Sequence, residues 1–311
     1  MATRSLRVAY GQALVELGKE DERIVVLEAD LGKSTMSILF QEQYPERYFE
    51  MGIAEQNMAA TAAGLSLADK IPFINSFAVF ASGRAYDQVR QSIAIPGLNV
   101  KICGSSAGLS DFGDGSTHQA IEDMAIMRAI PNMTVLVPAD AVETRKMVKA
   151  MVEWNGPVYI RINRNDLPMI TDIEGDYEIG KLQVVRDGSD IAVFANGVMV
   201  SKALVAADEL KRDGISVKVI NASTVKPLSR DEVLAHVQGC KGVVTAEEHS
   251  IIGGLGSAIA EVLRRERNLP IEFVGVQDSF GTSALSYDEL LEHYGLTAEA
   301  IRDAITLLLE S

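Results

Sequence analysis

The chain has 311 residues, 47% hydrophobic and 23% charged, a balance that fits two compact domains and excludes disordered and fibrous classes. Its formal net charge of −14 argues against a nucleic-acid partner, because such binding rests on a basic surface that releases counterions from phosphates. Two distant cysteines, Cys103 and Cys240, without a CxxC or His-rich neighbour, suggest neither a disulfide framework nor a zinc site, and no apolar run nears the ~18 residues of a membrane span. The opening MATRSLRVAYGQ has no hydrophobic signal core, so the expected location is the cytoplasm.

The first predicted strand is IVVLEA, 24–29. Its continuation, LEADLGKST, ends in a Walker-like GKST, but the first glycine of that motif would have to stand at Leu27, and a leucine cannot replace it in the tight turn. Next comes MGIAEQNMAATAAG, 51–64. As a helix it places Met58, Ala59, Ala62 and Ala63 on the face of Glu55, so one carboxylate lies among methyl groups. A carboxylate there costs several kcal/mol unless it is paired, hydrogen-bonded or protonated. From the residues alone Glu55 is either a cap or ion-pair partner at a helix start, or an acid that serves a ligand.

PFINSFAVFASGRAYDQVR, 72–90, starts as a strand and crowds Phe73, Phe77 and Phe80 around its end. The rings are either ordinary core or one wall of a site, since ligands bind at strand ends in α/β proteins. Strands are predicted again at 98–103 (LNVKIC), 134–138 (TVLVP) and 157–162 (PVYIRI), and this alternation with alanine- and charge-rich segments is the signature of parallel βαβ units. GDGSTH, 113–118, has the GDG that opens a magnesium and diphosphate motif, but that motif needs an asparagine pair roughly two dozen residues on, and only the single Asn132 and Asn155 follow. No metal motif is complete.

The rhythm breaks at Asn163–Asp190, where a proline, glycines and acidic residues mark a domain boundary. It resumes with strands predicted at 190–195, 215–220, 242–247 and 271–276. A helix over 199–213 carries Met199, Ala203, Ala206 and Leu210 on one stripe and stops at Gly214. GGLGSAI, 253–259, follows a strand, but Ile259 stands where the third glycine of a dinucleotide loop belongs. The last helix starts near Thr297.

Through ATRSLRVAYGQAL, MGIAEQNM, PFINSFAVFASGRAYDQVR, GDGSTHQAIEDMAIMRAIPNMTVLVPAD and GPVYIRINR, essentially the entire chain resembles the C-terminal half of transketolase. The resemblance implies two consecutive three-layer α/β/α domains: a thiamine-diphosphate pyrimidine-binding domain at 1–170, a linker at 171–189, and a transketolase-type C-terminal domain at 190–311. The domain that holds Mg2+ and the diphosphate in that family is missing, so the chain looks like the second subunit of a split transketolase. Its implied partner is an N-terminal subunit, in an α2β2 heterotetramer that takes sugar phosphates and transfers a two-carbon ketol unit.

The resemblance assigns Glu55 the proton on the ring nitrogen of the cofactor's aminopyrimidine, a role that desolvation of a carboxyl favours and a helix N-terminus partly opposes. Phe80 matches the ring that stacks on the pyrimidine, and Phe77 a second wall. His118 falls where relatives carry histidine or glutamine beside the cofactor; as a lone residue it reads as a surface histidine. Asp114 matches the reader of the ketose hydroxyl next to the carbonyl, or is a turn aspartate before Gly115. Arg7, Ser34 and Arg164 match positions that grip the sugar phosphate. Ser106 departs from the pattern, since a phosphate-binding histidine is usual there, and its single neutral hydrogen bond puts the natural ketose in question. The beta subunit of a 2-oxo-acid dehydrogenase and a non-catalytic assembly subunit share the two-domain plan, and GDGSTHQ and GPVYIRINR favour transketolase over the former.

Overall fold

The computed structural model describes residues 2–172, 174–265 and 269–310. Residue 173, in the segment read as a linker, and residue 311 lie outside them. In chain order the strands are β1 (Thr3–Ser5), β2 (Ile24–Glu28), β3 (Tyr48–Glu50), β4 (Ile71–Phe77), β5 (Lys101–Ser105), β6 (Thr134–Leu136), β7 (Val158–Arg161), β8 (Asp166–Pro168), β9 (Gln183–Arg186), β10 (Ile191–Ala195), β11 (Val217–Asn221), β12 (Thr224–Lys226), β13 (Gly242–Ser250) and β14 (Ile271–Val276). Among the described residues they form a seven-stranded sheet in the order β12-β6-β7-β5-β4-β2-β3, a five-stranded sheet β14-β13-β10-β11-β9, and the ribbon β1-β8. Inside the two large sheets all pairings are parallel except at one edge of each, where β12 joins β6 and β9 joins β11 in antiparallel fashion.

Both faces of each sheet are covered. Ile24 and Val26 enter a core with Leu6, Leu14 and Met147, whereas their neighbours Val25 and Leu27 enter another with Met58, Ala62 and Met127. In the second sheet Val193 and Ala195 pack with Met199 and Ile305, and Ala192 and Phe194 with Val233 and Ile259. Successive strand side chains point to opposite faces, so strands apolar throughout need helices on both sides. The result is the expected pair of α/β/α layers.

All nine predicted runs form strands, with ends moved by a few residues; LNVKIC pairs only from Lys101 and extends to Ser105. The helix predicted over 199–213 runs Met199–Leu210, tightens to a 3₁₀ turn at Lys211–Asp213, and ends where Gly214 has φ +81°. Thr297 accepts the Ala300 N–H at 3.1 Å, ahead of the helix Ala298–Glu310. The short edge strands are new. β12 comes from the second half of the sequence yet pairs with the first sheet, and β9 lies inside the segment read as a linker and pairs with the second.

The halves meet on a buried polar seam. Arg161 Nε donates to Asp123 at 3.1 and 3.0 Å, and its Nη2 donates to the carbonyls of Ala120 and Glu248. Glu248 accepts the Leu109 N–H at 2.8 Å and Asn163 Nδ2 at 3.1 Å. Burial raises the Glu248 carboxyl to about 7, with Arg161 opposing. Both cysteines are free and buried. Among the described residues no helix is long and apolar enough to cross a membrane, and no group of three or more His, Cys, Asp or Glu is placed to hold a metal ion.

Candidate active site

Four of the parallel strands deliver the candidate residues at their C-terminal ends. Ser34 follows β2, Phe77 closes β4, Ser106 follows β5, and Arg164 follows β7. Phe77 pairs in register with Ser105, which brings the ends of β4 and β5 side by side. This edge of an open parallel sheet is where loops gather and ligands bind.

Glu55 is the first residue of the helix Glu55–Leu67, 1% exposed, on the same face as buried Met58, Ala59, Ala62 and Ala63. Ala54 supplies no side-chain cap, so the first-turn N–H groups present their positive end without competition from a cap oxygen. The carboxylate is not alone. Arg84 Nη1 donates to its two oxygens at 3.2 and 3.1 Å, and Ser76 Oγ donates at 3.4 Å. Arg84 lies at the end of a π-helical turn, Phe80–Arg84, whose wider winding turns a side chain four residues past Phe80 back across that ring. Its guanidinium carbon stands 4.5 Å from the centre of the Phe80 ring.

Phe77 and Phe80 are nearly parallel, 16° between planes, with centres 6.2 Å apart. His118 meets both edge-on, at 6.1 and 5.5 Å, and its Nδ1 is 2.9 Å from Thr117 Oγ1. These three predicted cofactor residues therefore form one aromatic wall beside Glu55. Asp114 stands four residues before His118 on the same turn, exposed, and its side chain does not cap the following 3₁₀ turn. The turn itself is braced by the second half of the chain: Gln119 Nε2 donates to the Thr282 carbonyl at 2.9 Å, and a Cβ at Gly115, φ +75°, would fall 2.4 Å from Ser283 Oγ.

The predicted phosphate end is also assembled. Arg7 Nε donates to the Arg164 carbonyl at 3.0 Å and its Nη1 to the Ser34 carbonyl at 2.7 Å. Burial and then the charge of Arg164 lower the Arg7 pKa, so a second cation is held close to the first. Arg164 Nη1 is 2.8 Å from Asp111, and its guanidinium carbon 5.9 Å from the Phe77 ring. The short turn that carries Ser34 is pinned by Thr35 and Ser37, which both donate to buried Glu28 at 2.6 Å. Ser106 is fully buried at φ +52°, a left-handed conformation uncommon outside glycine, and its hydroxyl has no hydrogen-bond partner among the described residues. An orphaned buried hydroxyl on a strained backbone at a strand end is a feature of ligand sites.

Sequence reasoning missed Arg84, Asp111 and Ser76. Arg84 had one signal, a cation one helical turn past Phe80 in FASGR; Asp111 and Ser76 had none apart from the fold.

Comparison with known proteins agrees with this arrangement. The model of the transketolase pyrimidine-binding domain matches residues 2–169, and that of the transketolase C-terminal domain residues 180–301. A protein of Methanocaldococcus jannaschii described as a transketolase C-terminal section is 45% identical over 97% of this chain and 95% of its own length. The 6-deoxy-6-sulfo-D-fructose transketolase subunit of Clostridium sp. (strain MSTE9) is 44% identical over 95% of this chain and 92% of its own. A solved split-gene transketolase, in an inactive beta4 tetramer, superposes with a TM-score of 0.90 at 48% identity, covering 99% of both chains. Human transketolase is 36% identical, and this chain spans 48% of its length. The chain belongs to the transketolase family, as a section made of its pyrimidine-binding and C-terminal domains. A pyrimidine-binding domain of this family implies the use of thiamine diphosphate.

Proposed function

We propose that this chain is the C-terminal subunit of a split, cytoplasmic transketolase, which transfers a two-carbon ketol unit from a ketose to an aldose only when an N-terminal subunit supplies the site for Mg2+ and the diphosphate. Buried Glu55, opposite the Phe77, Phe80 and His118 wall, is the observation that carries it. The domain division proposed with it is 1–170 and 190–311, with a connecting segment at 171–189.

The residues present suit the pyrimidine end of thiamine diphosphate. Between the Phe80 face and the Glu55 oxygens lies a planar, N–H-bearing cation, the Arg84 guanidinium, and an aminopyrimidine is also planar and, with its ring nitrogen protonated, also presents N–H donors. When bound, the cofactor supplies a carbanion that cleaves and forms the bond beyond the ketose carbonyl. Glu55 holds the proton on the ring nitrogen, and Phe80 and Phe77 fix the ring plane without polar demands. His118 donates or accepts one hydrogen bond at the edge of the rings. Asp114, exposed on its turn, accepts from the ketose hydroxyl next to the carbonyl. Arg7 and Arg164, with Ser34, hold the anionic end of the sugar.

Ser106 bears on substrate choice. With a neutral serine there, the charge of the anionic group is met by Arg7 and Arg164, and a group of different shape or charge from phosphate becomes admissible. The sulfosugar name of one relative agrees with such latitude.

The test is reconstitution. The chain alone should show little ketol transfer and weak thiamine diphosphate affinity, and the N-terminal subunit should restore both. A turnover of ~10 per second by the isolated chain, an ordinary enzyme rate, would remove the partner from the proposal.

A further inference from the structure

The anionic end of the proposed sugar site already contains a carboxylate. Asp111 lies shortly before Asp114, 3% exposed, and its Oδ2 accepts from Arg164 Nη1 at 2.8 Å. Both partners are held by their backbones. The Asp111 carbonyl accepts from the Gly115 N–H and from Gln119 Nε2, both at 3.3 Å, while the Arg164 N–H donates to Ser110 Oγ at 3.1 Å and its carbonyl accepts from Arg7 Nε. Asp111 is also felt by the second guanidinium. Burial and then Arg164 lower the Arg7 pKa, and Asp166 and then Asp111 oppose them.

Neutral donors stand at the same strand end. Ser105 and Ser106 are 0% exposed, and neither hydroxyl has a hydrogen-bond partner among the described residues. They close β5, which pairs with the β7 strand that leads to Arg164, and Ser105 is level with Phe77, the ring over which the Arg164 guanidinium lies. A buried hydroxyl without a partner costs free energy that a ligand oxygen recovers. A sulfonate brings three such oxygens and one charge, whereas a phosphate monoester carries about −1.5 to −2 at pH 7. The oxygens of both suit the donors. The second charge is what Asp111 opposes, since like charges repel strongly where water is excluded. Resting on the ketol-transfer reading, we propose that Asp111 sets the charge of the sugar's terminal group, so that the natural ketose ends in a singly charged sulfonate rather than in a doubly charged phosphate.

The test compares two donors in the reconstituted complex, 6-deoxy-6-sulfofructose and fructose 6-phosphate, by kcat/KM at pH about 7.5 and about 5.5, on either side of the second phosphate pKa of ~6. Expected is a preference for the sulfonate that narrows at the lower pH, where the phosphate loses its second charge. Titrations of the protein that affect both donors cancel in the ratio, and this arm needs no variant. Asp111→Asn keeps an oxygen for Arg164 and removes the charge, so it should shift the ratio toward the phosphate by about tenfold or more. Transfer from either donor shows that the variant folds and assembles. The inference is overturned if the unchanged complex prefers the phosphate, if the ratio does not narrow as pH falls, or if Asp111→Asn leaves the ratio where it was. Transfer from neither donor by the unchanged complex would remove the ketol-transfer reading itself, and this inference with it.

Discussion

Arg84 reaches across the Phe80 ring to both oxygens of Glu55, at 3.2 and 3.1 Å. The buried carboxylate is therefore paired in the chain by itself, and its partner, 48% exposed, has solvent to swing into. Under the proposed function, cofactor loading competes with this contact. A half-exposed pair is worth ~0.2–1 kcal/mol, so Arg84→Ala in the reconstituted complex should lower the thiamine diphosphate concentration for half-activation by up to about fivefold. A raised requirement would mean that Arg84 helps to hold the cofactor.

Glu55→Gln keeps the shape and removes the acid. Loss of a positioned proton-transfer group costs roughly 10²–10⁴ in rate, so kcat of the complex should fall by that order while size-exclusion chromatography shows unaltered assembly. Retained activity would take Glu55 out of the chemistry.

Arg164→Ala should discriminate between donors. Charge-assisted hydrogen bonds are worth ~1.5–3 kcal/mol, so KM for a phosphorylated ketose should rise about 10- to 100-fold, while an uncharged ketose is little affected. Equal losses for both would place the anionic group elsewhere.

The Asp123–Arg161 pair is 0% and 4% exposed at 3.0 Å, and Tyr159 adds a hydrogen bond to Asp123 at 2.7 Å. Removing one partner strands a buried charge, so Arg161→Ala should cost ~3–5 kcal/mol in denaturant unfolding. The double change with Asp123→Ala should cost less than the sum of the two single ones.

Burial lifts the Glu248 carboxyl from 4.5 to about 7. Between those values the folded chain binds a proton that the unfolded chain does not, so this residue makes stability fall as pH rises from about 4.5 to about 7. Tm of Glu248→Gln, followed across that window, should fall less steeply with pH than that of the unchanged protein. Parallel curves would show that the carboxyl does not titrate there.

The β-branched runs by themselves determined the two parallel sheets, because strands apolar on both faces have no stable arrangement other than between two layers of helices. The 3.6-residue spacing of Met58, Ala59, Ala62 and Ala63 determined that Glu55 would be buried, and the β4 sequence that Phe77 and Phe80 would crowd a strand end. What Glu55 touches was decided by the tertiary structure. Arg84 comes back to it through a π-helical turn, and one residue more or less in that winding would aim the guanidinium elsewhere. β9 and β12 also escaped the sequence, since strands of three or four residues at a sheet edge carry too little apolar pattern to register. The braced turn of Asp114 and His118 belongs to the same category. It joins residues more than a hundred positions apart, and contacts at that separation follow from how layers dock, which no local periodicity encodes.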